Sequence, residues 1–230
     1  MGILVPVWVK TLLIASFFIV AAFGVGVWFW SRWKVNQIKA RYASEQEKIN
    51  RQKLIEKRGD NWNKVPYELK DFWDSKTDDN DLENWINSVY LNDAQEVLVA
   101  TESLEYETAT LLTQTQANIS TISANIKVNW WNKMVSEFPH YFKRELSLVE
   151  HSTLQDKKFN LILASNLHQS NISIYEYFYS KLTDNGMIII RQDKVKKSDL
   201  KELASLLKTS QITHEISSIK SKFIYIVKNM

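Results

Sequence analysis

Few residues in this 230-residue chain are suited to acid–base chemistry, because it holds four histidines and no cysteine. His140, His151 and His214 are too far apart in sequence to suggest a metal set, and no thiolate can join them. His168 differs, because it follows FNLILAS, a run that reads as a buried strand. A residue just past such a strand faces the crevice where open α/β sheets bind ligands, and a neutral imidazole there can act as a general base. The plainer reading is a loop histidine that caps or solvates the next helix. Glu102 and Glu105 follow a second strand-like run, EVLVA, and either bind a ligand's polar groups or are simply solvated. Tyr175, Tyr177 and Tyr179 crowd one helical stretch, where packing against a sheet is the simplest account. Trp130 and Trp131 line a pocket, mark a membrane-facing edge or pack in a core, and core packing is the expectation.

Glycine is as informative as histidine. Of five glycines, only Gly59 and Gly186 lie beyond residue 26. No G-x-x-x-x-G-K, G-x-G-x-x-G or G-x-S-x-G can be built from two, so a P-loop enzyme, a kinase, a dinucleotide dehydrogenase and an esterase elbow are all excluded.

These side chains are positioned by apolar runs that alternate with helical stretches. Strands are expected at 96–101, 118–124, 146–151, 159–164 and 186–191, with a closing pair at 214–219 and 223–227. Helices are expected at 103–116, 130–144 (disturbed by Pro139), 172–182 and 198–210. Uniformly apolar strands separated by helices imply parallel βαβ units in a sheet covered on both faces. Residues 59–95 form a helical lead-in around 66–73 and 81–91, and 96–230 form one α/β domain.

The N-terminal part has a different character. Residues 11–30, TLLIASFFIVAAFGVGVWFW, carry no charge, and twenty helical residues span about 30 Å, the hydrocarbon thickness of a bilayer. A cleaved signal peptide would have a shorter apolar region and small residues after it, whereas this run ends in Trp28, Trp30 and Trp33, suited to an interface. Residues 3–30 therefore read as a transmembrane anchor. Residues 31–58 hold nine basic and three acidic residues, a net of +6, against Lys10 and the terminal amine on the other side. The positive-inside rule then places the N-terminus outside and the C-terminal domain in the cytoplasm, at the cell membrane, with the basic stalk against anionic lipid. Val35, Ile38, Tyr42 and Ile49 make a thin apolar stripe along that stalk. It is broken at Glu45 and Gln52, so a solvated helix is expected over a coiled coil. Removing +6 for the stalk and +1 for Lys10 from the total of +3 leaves residues 59–230 at −4, which argues against nucleic-acid binding by the domain.

Three stretches resemble the class I S-adenosylmethionine (SAM)-dependent methyltransferases, in particular their small O-methyltransferase branch. EVLVATESLEYETATLL is similar to the family's first strand, loop and helix (VLEIGTGxGYST). FNLILASNLHQSNISIYEYFYSKL is similar to its fourth strand and helix, and KLTDNGMIII to the approach to its fifth strand. The chain is also similar to membrane-anchored methyltransferases of wall-less bacteria. The resemblance implies a Rossmann-like fold, a mostly parallel sheet with an antiparallel terminal hairpin, and SAM as cofactor. It places Thr101, Ser103 and Glu105 where the family has glycines that let backbone approach the cofactor. Glu102 and Glu105 are then placed to bind the cofactor's amino or ribose groups, Asn125 is the nearest counterpart of the ribose-binding acid, and Glu150 lies where an acidic group nears the adenine. Ser165 stands where the metal-dependent branch has an aspartate, so no metal is implied. His168 is the candidate catalytic base.

The functional expectation is thus a membrane-anchored SAM-dependent methyltransferase acting on an unidentified acceptor, a membrane-associated protein or lipid. The alternatives are a catalytically inactive methyltransferase-like interaction module and a bitopic scaffold that dimerises through its stalk.

Overall fold

The computed structural model describes residues 6–59, 64–194 and 197–229. The chain divides into two compact units, Met1–Lys53 and Leu54–Met230. One uninterrupted helix, α1 (Val7–Arg58), accounts for the first unit and ends in the second. Among the described residues no helix is long and apolar enough to cross a membrane, so the span expected at 11–30 is not supported by the structure. Part of that stretch, and Ile38 and Tyr42 of the stalk stripe, have side chains outside the described residues, and residues 60–63 of the expected lead-in lie outside them altogether.

The second unit begins with the last turn of α1. Leu54 is buried there, and the Arg58 guanidinium pairs with Glu83 and donates to Asn87 Oδ1 at 2.8 Å. Helices α2 (Tyr67–Phe72) and α3 (Asp79–Leu91) follow, and Leu69, Leu82, Trp85, Ile86 and Val89 lie in the core. The sheet comprises β1 (Glu96–Val99), β2 (Asn118–Ile122), β3 (Ser147–Val149), β4 (Phe159–Ser165), β5 (Leu182–Arg191), β6 (His214–Ser218) and β7 (Lys222–Val227). Their order is β3-β2-β1-β4-β5-β7-β6, parallel except for β7, which runs antiparallel to β5 and to β6. Between them lie α4 (Glu105–Gln114), α5 (Val128–Glu137), α6 (Asn171–Phe178) and α7 (Lys197–Thr209). The parallel βαβ units are those that the alternating pattern implied, and the Rossmann-like sheet with a reversed terminal hairpin is the one that the family resemblance implied.

Both faces of the sheet are buried because successive strand residues point to opposite sides. Val97, Val99, Leu161, Leu163 and Ile189 face a cluster shared with α2 to α5. Leu98, Ala100, Ile162, Ala164, Ile188 and Ile190 face a cluster shared with α6 and α7. Several boundaries differ from the sequence pattern, two of them for a definite local reason. The helix expected to reach 144 stops at Glu137, because the residue before a proline is driven out of helical geometry, and Phe138 before Pro139 has φ −125° and ψ 54°. β5 begins at Leu182 rather than Gly186, with a register shift opposite Phe159 and Leu161. Asn185 has φ 61° at that shift, and a Cβ on Gly186 would lie 2.9 Å from the Thr183 carbonyl oxygen.

The β6–β7 turn is fastened to α3 by one carboxylate. Asp81, 2% exposed, accepts backbone N–H bonds from Lys220 (3.0 Å) and Ser221 (2.9 and 3.0 Å). Asp81→Ala removes a charged acceptor from both backbone donors, so it should lower the unfolding free energy by about 1.5–3 kcal/mol. Urea denaturation of the variant checks this, and a loss under about 0.5 kcal/mol would show that water replaces the carboxylate.

Candidate functional site

The chain leaves β1 towards β2 and leaves β4 towards β5, so the carboxyl ends of β1 and β4 part at the point where open sheets form their ligand crevice. The two strand ends are held in register by Ala100 N–H donating to the Leu163 carbonyl at 2.8 Å. One residue on, the buried Thr101 hydroxyl accepts the Ser165 N–H, also at 2.8 Å. Asn125, after β2, donates from Nδ2 to the Ala100 carbonyl at 2.9 Å. The end of β4 and the segment after β2 are thereby tied to the end of β1.

Residues 101–104 form the loop between β1 and α4. Ser103 lies in the left-handed region, with φ 62°. This is the backbone geometry that glycine adopts without strain and serine does not. Of the three positions where the family resemblance places glycine, Ser103 is the one whose backbone carries that conformation. Its Oγ lies 3.5 Å from His168 Nε2, at the outer limit of a hydrogen bond. His168 is exposed and is not the helix cap. Ser170 fills that position at α6, accepting the Ser173 N–H. Glu102 is exposed as well. Glu150 is exposed beyond β3, where its carbonyl accepts the N–H groups of Thr153 and Leu154. The structure therefore brings Thr101 to Ser165, Ser103 to His168 and Asn125 to the end of β1, and leaves Glu102 and Glu150 outside these pairings.

A charged network that the sequence did not announce occupies the floor. Arg191 ends β5 at 6% exposure, and its Nη2 donates to Glu107 Oε1 at 2.8 Å. Its Nε donates to both Asp193 oxygens, at 2.8 and 2.9 Å, and its guanidinium lies over the Trp85 ring, 4.9 Å from the centroid. Burial alone disfavours the Arg191 charge, but the fields of Glu107 and then Asp193, with their hydrogen bonds, outweigh it and raise the pKa above the ordinary arginine value. Glu107 also accepts the Thr77 hydroxyl at 2.7 Å, and Ser165 Oγ donates to Asp193 at 2.5 Å. The available signal was an arginine closing the apolar strand GMIIIR and an aspartate two residues on. The partner Glu107 is 84 residues away, which no local pattern reveals.

Above this floor the loop 73–78 roofs a cleft of about 580 Å³, lined among others by Trp73, Ser103, Glu105, Glu107, Leu167 and Arg191. Glu105 is buried in its wall. Among the described residues no group of three or more His, Cys, Asp or Glu is placed to hold a metal ion.

No protein-family model matches the chain, and no curated protein matches it in sequence. Solved structures do match its fold. A Geobacter sulfurreducens methyltransferase superposes with a TM-score of 0.55 at 11% identity, over 71% of this chain and 88% of that one. An SAH-bound Podospora anserina methyltransferase gives 0.54 at 13% identity, over 72% and 89%. A Bacillus cereus O-methyltransferase in complex with SAH gives 0.52 at 10% identity, over 72% and 92%. At these identities the likeness establishes a class I methyltransferase fold.

The left-handed serine yields a direct test. Ser103→Gly removes the Cβ strain but loosens the unfolded chain, so it should be neutral or stabilising by up to about 1 kcal/mol, whereas Ser103→Val should cost about 1–2 kcal/mol. Chemical denaturation of both variants should rank glycine level with or above serine, and serine above valine. A strongly destabilised glycine variant would contradict the strained loop.

Proposed function

We propose that the Leu54–Met230 unit is a SAM-dependent methyltransferase-type domain that takes its cofactor at the carboxyl ends of β1 and β2. The observation that carries the reading is the Ser103 turn: a left-handed loop residue between β1 and α4, beside the point where β1 and β4 part. SAM fits the groups present there. Thr101 and Ser103 shape the loop around its methionine end, with Glu102 and Glu105 within the same segment. Asn125 stands at the end of β1, and Glu150 is exposed beyond β3, suited to ribose and adenine respectively. Ser165, fastened to Asp193, offers a hydroxyl rather than a metal ligand. When bound, the sulfonium supplies the methyl group. The chain's own contribution is to orient the acceptor in the cleft that residues 73–78 help to line. His168 Nε2, beside Ser103 Oγ, can hold the proton that the acceptor gives up.

We extend the reading to a membrane tether formed by α1. The charge-free run at 11–30 supports it, as do the large apolar side chains that α1 exposes at Phe17, Phe23, Phe29 and Trp30. Arg32 stacks on Trp28 and Lys34 on Trp30, 5.2 and 5.0 Å from the ring centroids, a pairing suited to a headgroup layer. With the basic segment that follows, this favours a cytoplasmic domain and a membrane-associated acceptor, protein or lipid.

A second reading, a domain that no longer turns over, has its own observation. Thr101 spends its hydroxyl on the Ser165 backbone, and Thr101, Ser103 and Glu105 all carry a Cβ where close backbone approach is wanted.

Calorimetric titration of the protein with SAM and SAH separates the two. The first reading predicts saturable binding in the micromolar range, about −8 kcal/mol. No heat and no thermal shift at millimolar ligand, from folded protein, would leave the second.

A further inference from the structure

Three large apolar side chains stay exposed where the cleft opens. Val128 and Trp130, in the first turn of α5, are 41% and 51% exposed. Leu167, beside His168 after β4, is 44% exposed. Lys127, the residue before α5, and Leu167 both line the cleft, which puts the start of α5 and that loop at its mouth. Trp130 is held in place. It packs edge-on with Phe72, ring centroids 5.9 Å apart, and Lys133 Nζ lies 5.1 Å from its centroid. A fixed indole with half its surface in water marks a contact that is still to be made.

The charges around these side chains select what makes it. Lys76 and Lys220 share the mouth with Asp74 and Asp78, and Lys76 is paired with Asp74. Lys127 and Lys133 are different. Both are exposed, residues 126–136 contain no acidic residue, and neither lysine forms an ion pair among the described residues. This +2 segment stands in a domain, residues 59–230, whose net charge is −4. An anionic surface is therefore repelled by most of the domain and can approach at the start of α5. Protein interfaces are depleted of lysine at their centre, whereas lysine beside tryptophan and leucine is the composition of a surface that lies in lipid headgroups.

We propose that the mouth of the cleft docks on an anionic lipid bilayer through the first turn of α5 and the loop after β4. Val128, Trp130 and Leu167 enter the headgroup layer, and Lys127 and Lys133 meet its phosphates. The docking does not require that SAM bind. To the methyltransferase reading it adds the side from which a membrane-associated acceptor enters.

Because the chain has no cysteine, one introduced thiol carries a fluorophore at a single known place. Asn129→Cys puts it on the exposed start of α5, and Ser205→Cys puts it on α7, which covers the opposite face of the sheet. The full-length labelled chains are mixed with vesicles containing a headgroup spin-labelled lipid as quencher. The vesicles are of phosphatidylcholine alone or of equal parts phosphatidylcholine and phosphatidylserine. The label at 129 should be quenched on the anionic vesicles and the label at 205 should not. A tether through α1 brings both labels near the membrane, so the contrast between them reads the docked face and not the tether. Each lysine at an anionic surface strengthens binding about fivefold, so Lys127→Gln with Lys133→Gln should shift docking about thirtyfold and remove most of the quenching at 129. Hydrogen exchange of the unlabelled chain gives the same readout without a substitution, with slowing at 126–131 and 166–169 and none at 197–209. Equal quenching at the two labels, equal quenching on neutral vesicles, or quenching that survives loss of both lysines overturns the proposal. No quenching at 129 on either vesicle also overturns it, and leaves the exposed side chains to a protein partner.

Discussion

Arg191 is the residue on which the arrangement of the crevice depends. Its guanidinium ends a strand of apolar residues at 6% exposure, and its partner Glu107 is 2% exposed. Taking two such ions out of water costs several kcal/mol each, so they persist only where geometry and further hydrogen bonds compensate. Here the compensation draws in distant parts of the chain. Glu107 brings α4 to the end of β5, with Thr77 from the roof loop on the same oxygen. Asp193 connects Arg191 to Ser165 at the end of β4, and the Ser165 N–H reaches Thr101 beyond β1. A continuous set of polar contacts therefore runs from β5 through β4 to β1, with Trp85 of α3 stacked beneath it.

That set of contacts accounts for how the loop after β1 keeps its shape without glycine. The loop is held at Thr101 on one side and, through Glu107, at the first turn of α4 on the other. The residue between, Ser103, absorbs the turn at φ 62°. A backbone conformation that costs about 1–2 kcal/mol for a residue with a Cβ is kept because the flanking contacts over-determine it. The same arrangement leaves Arg191 Nη1 buried without an acceptor.

The sequence carried most of the architecture and little of this network. The runs FNLILA and GMIIIR revealed β4 and β5 because a doubly covered parallel sheet needs unbroken apolar strands. The order of apolar runs also revealed the terminal hairpin. The start of β5 was hidden by a bulge, since Asn185 and Gly186 look like a turn that ends a strand rather than a kink within one. His168 was readable as a residue just past β4, and Thr101, Ser103 and Ser165 as positions at the strand ends. Their actual pairings, Thr101 with the Ser165 backbone and Asn125 with Ala100, depend on loops that only the folded sheet brings together. Glu107 and Arg191 escaped notice because a charge at a strand end or on a helix reads as solvated, and their pairing spans 84 residues.

Hydrogen–deuterium exchange of the full chain, with and without SAH, is the most direct test that the crevice at the ends of β1 and β4 is the ligand site. The account predicts slowed exchange in peptides covering residues 99–106 and 123–126, with little change in α7 and β6. Unchanged exchange in those peptides at saturating SAH, or protection confined to other segments, would contradict it.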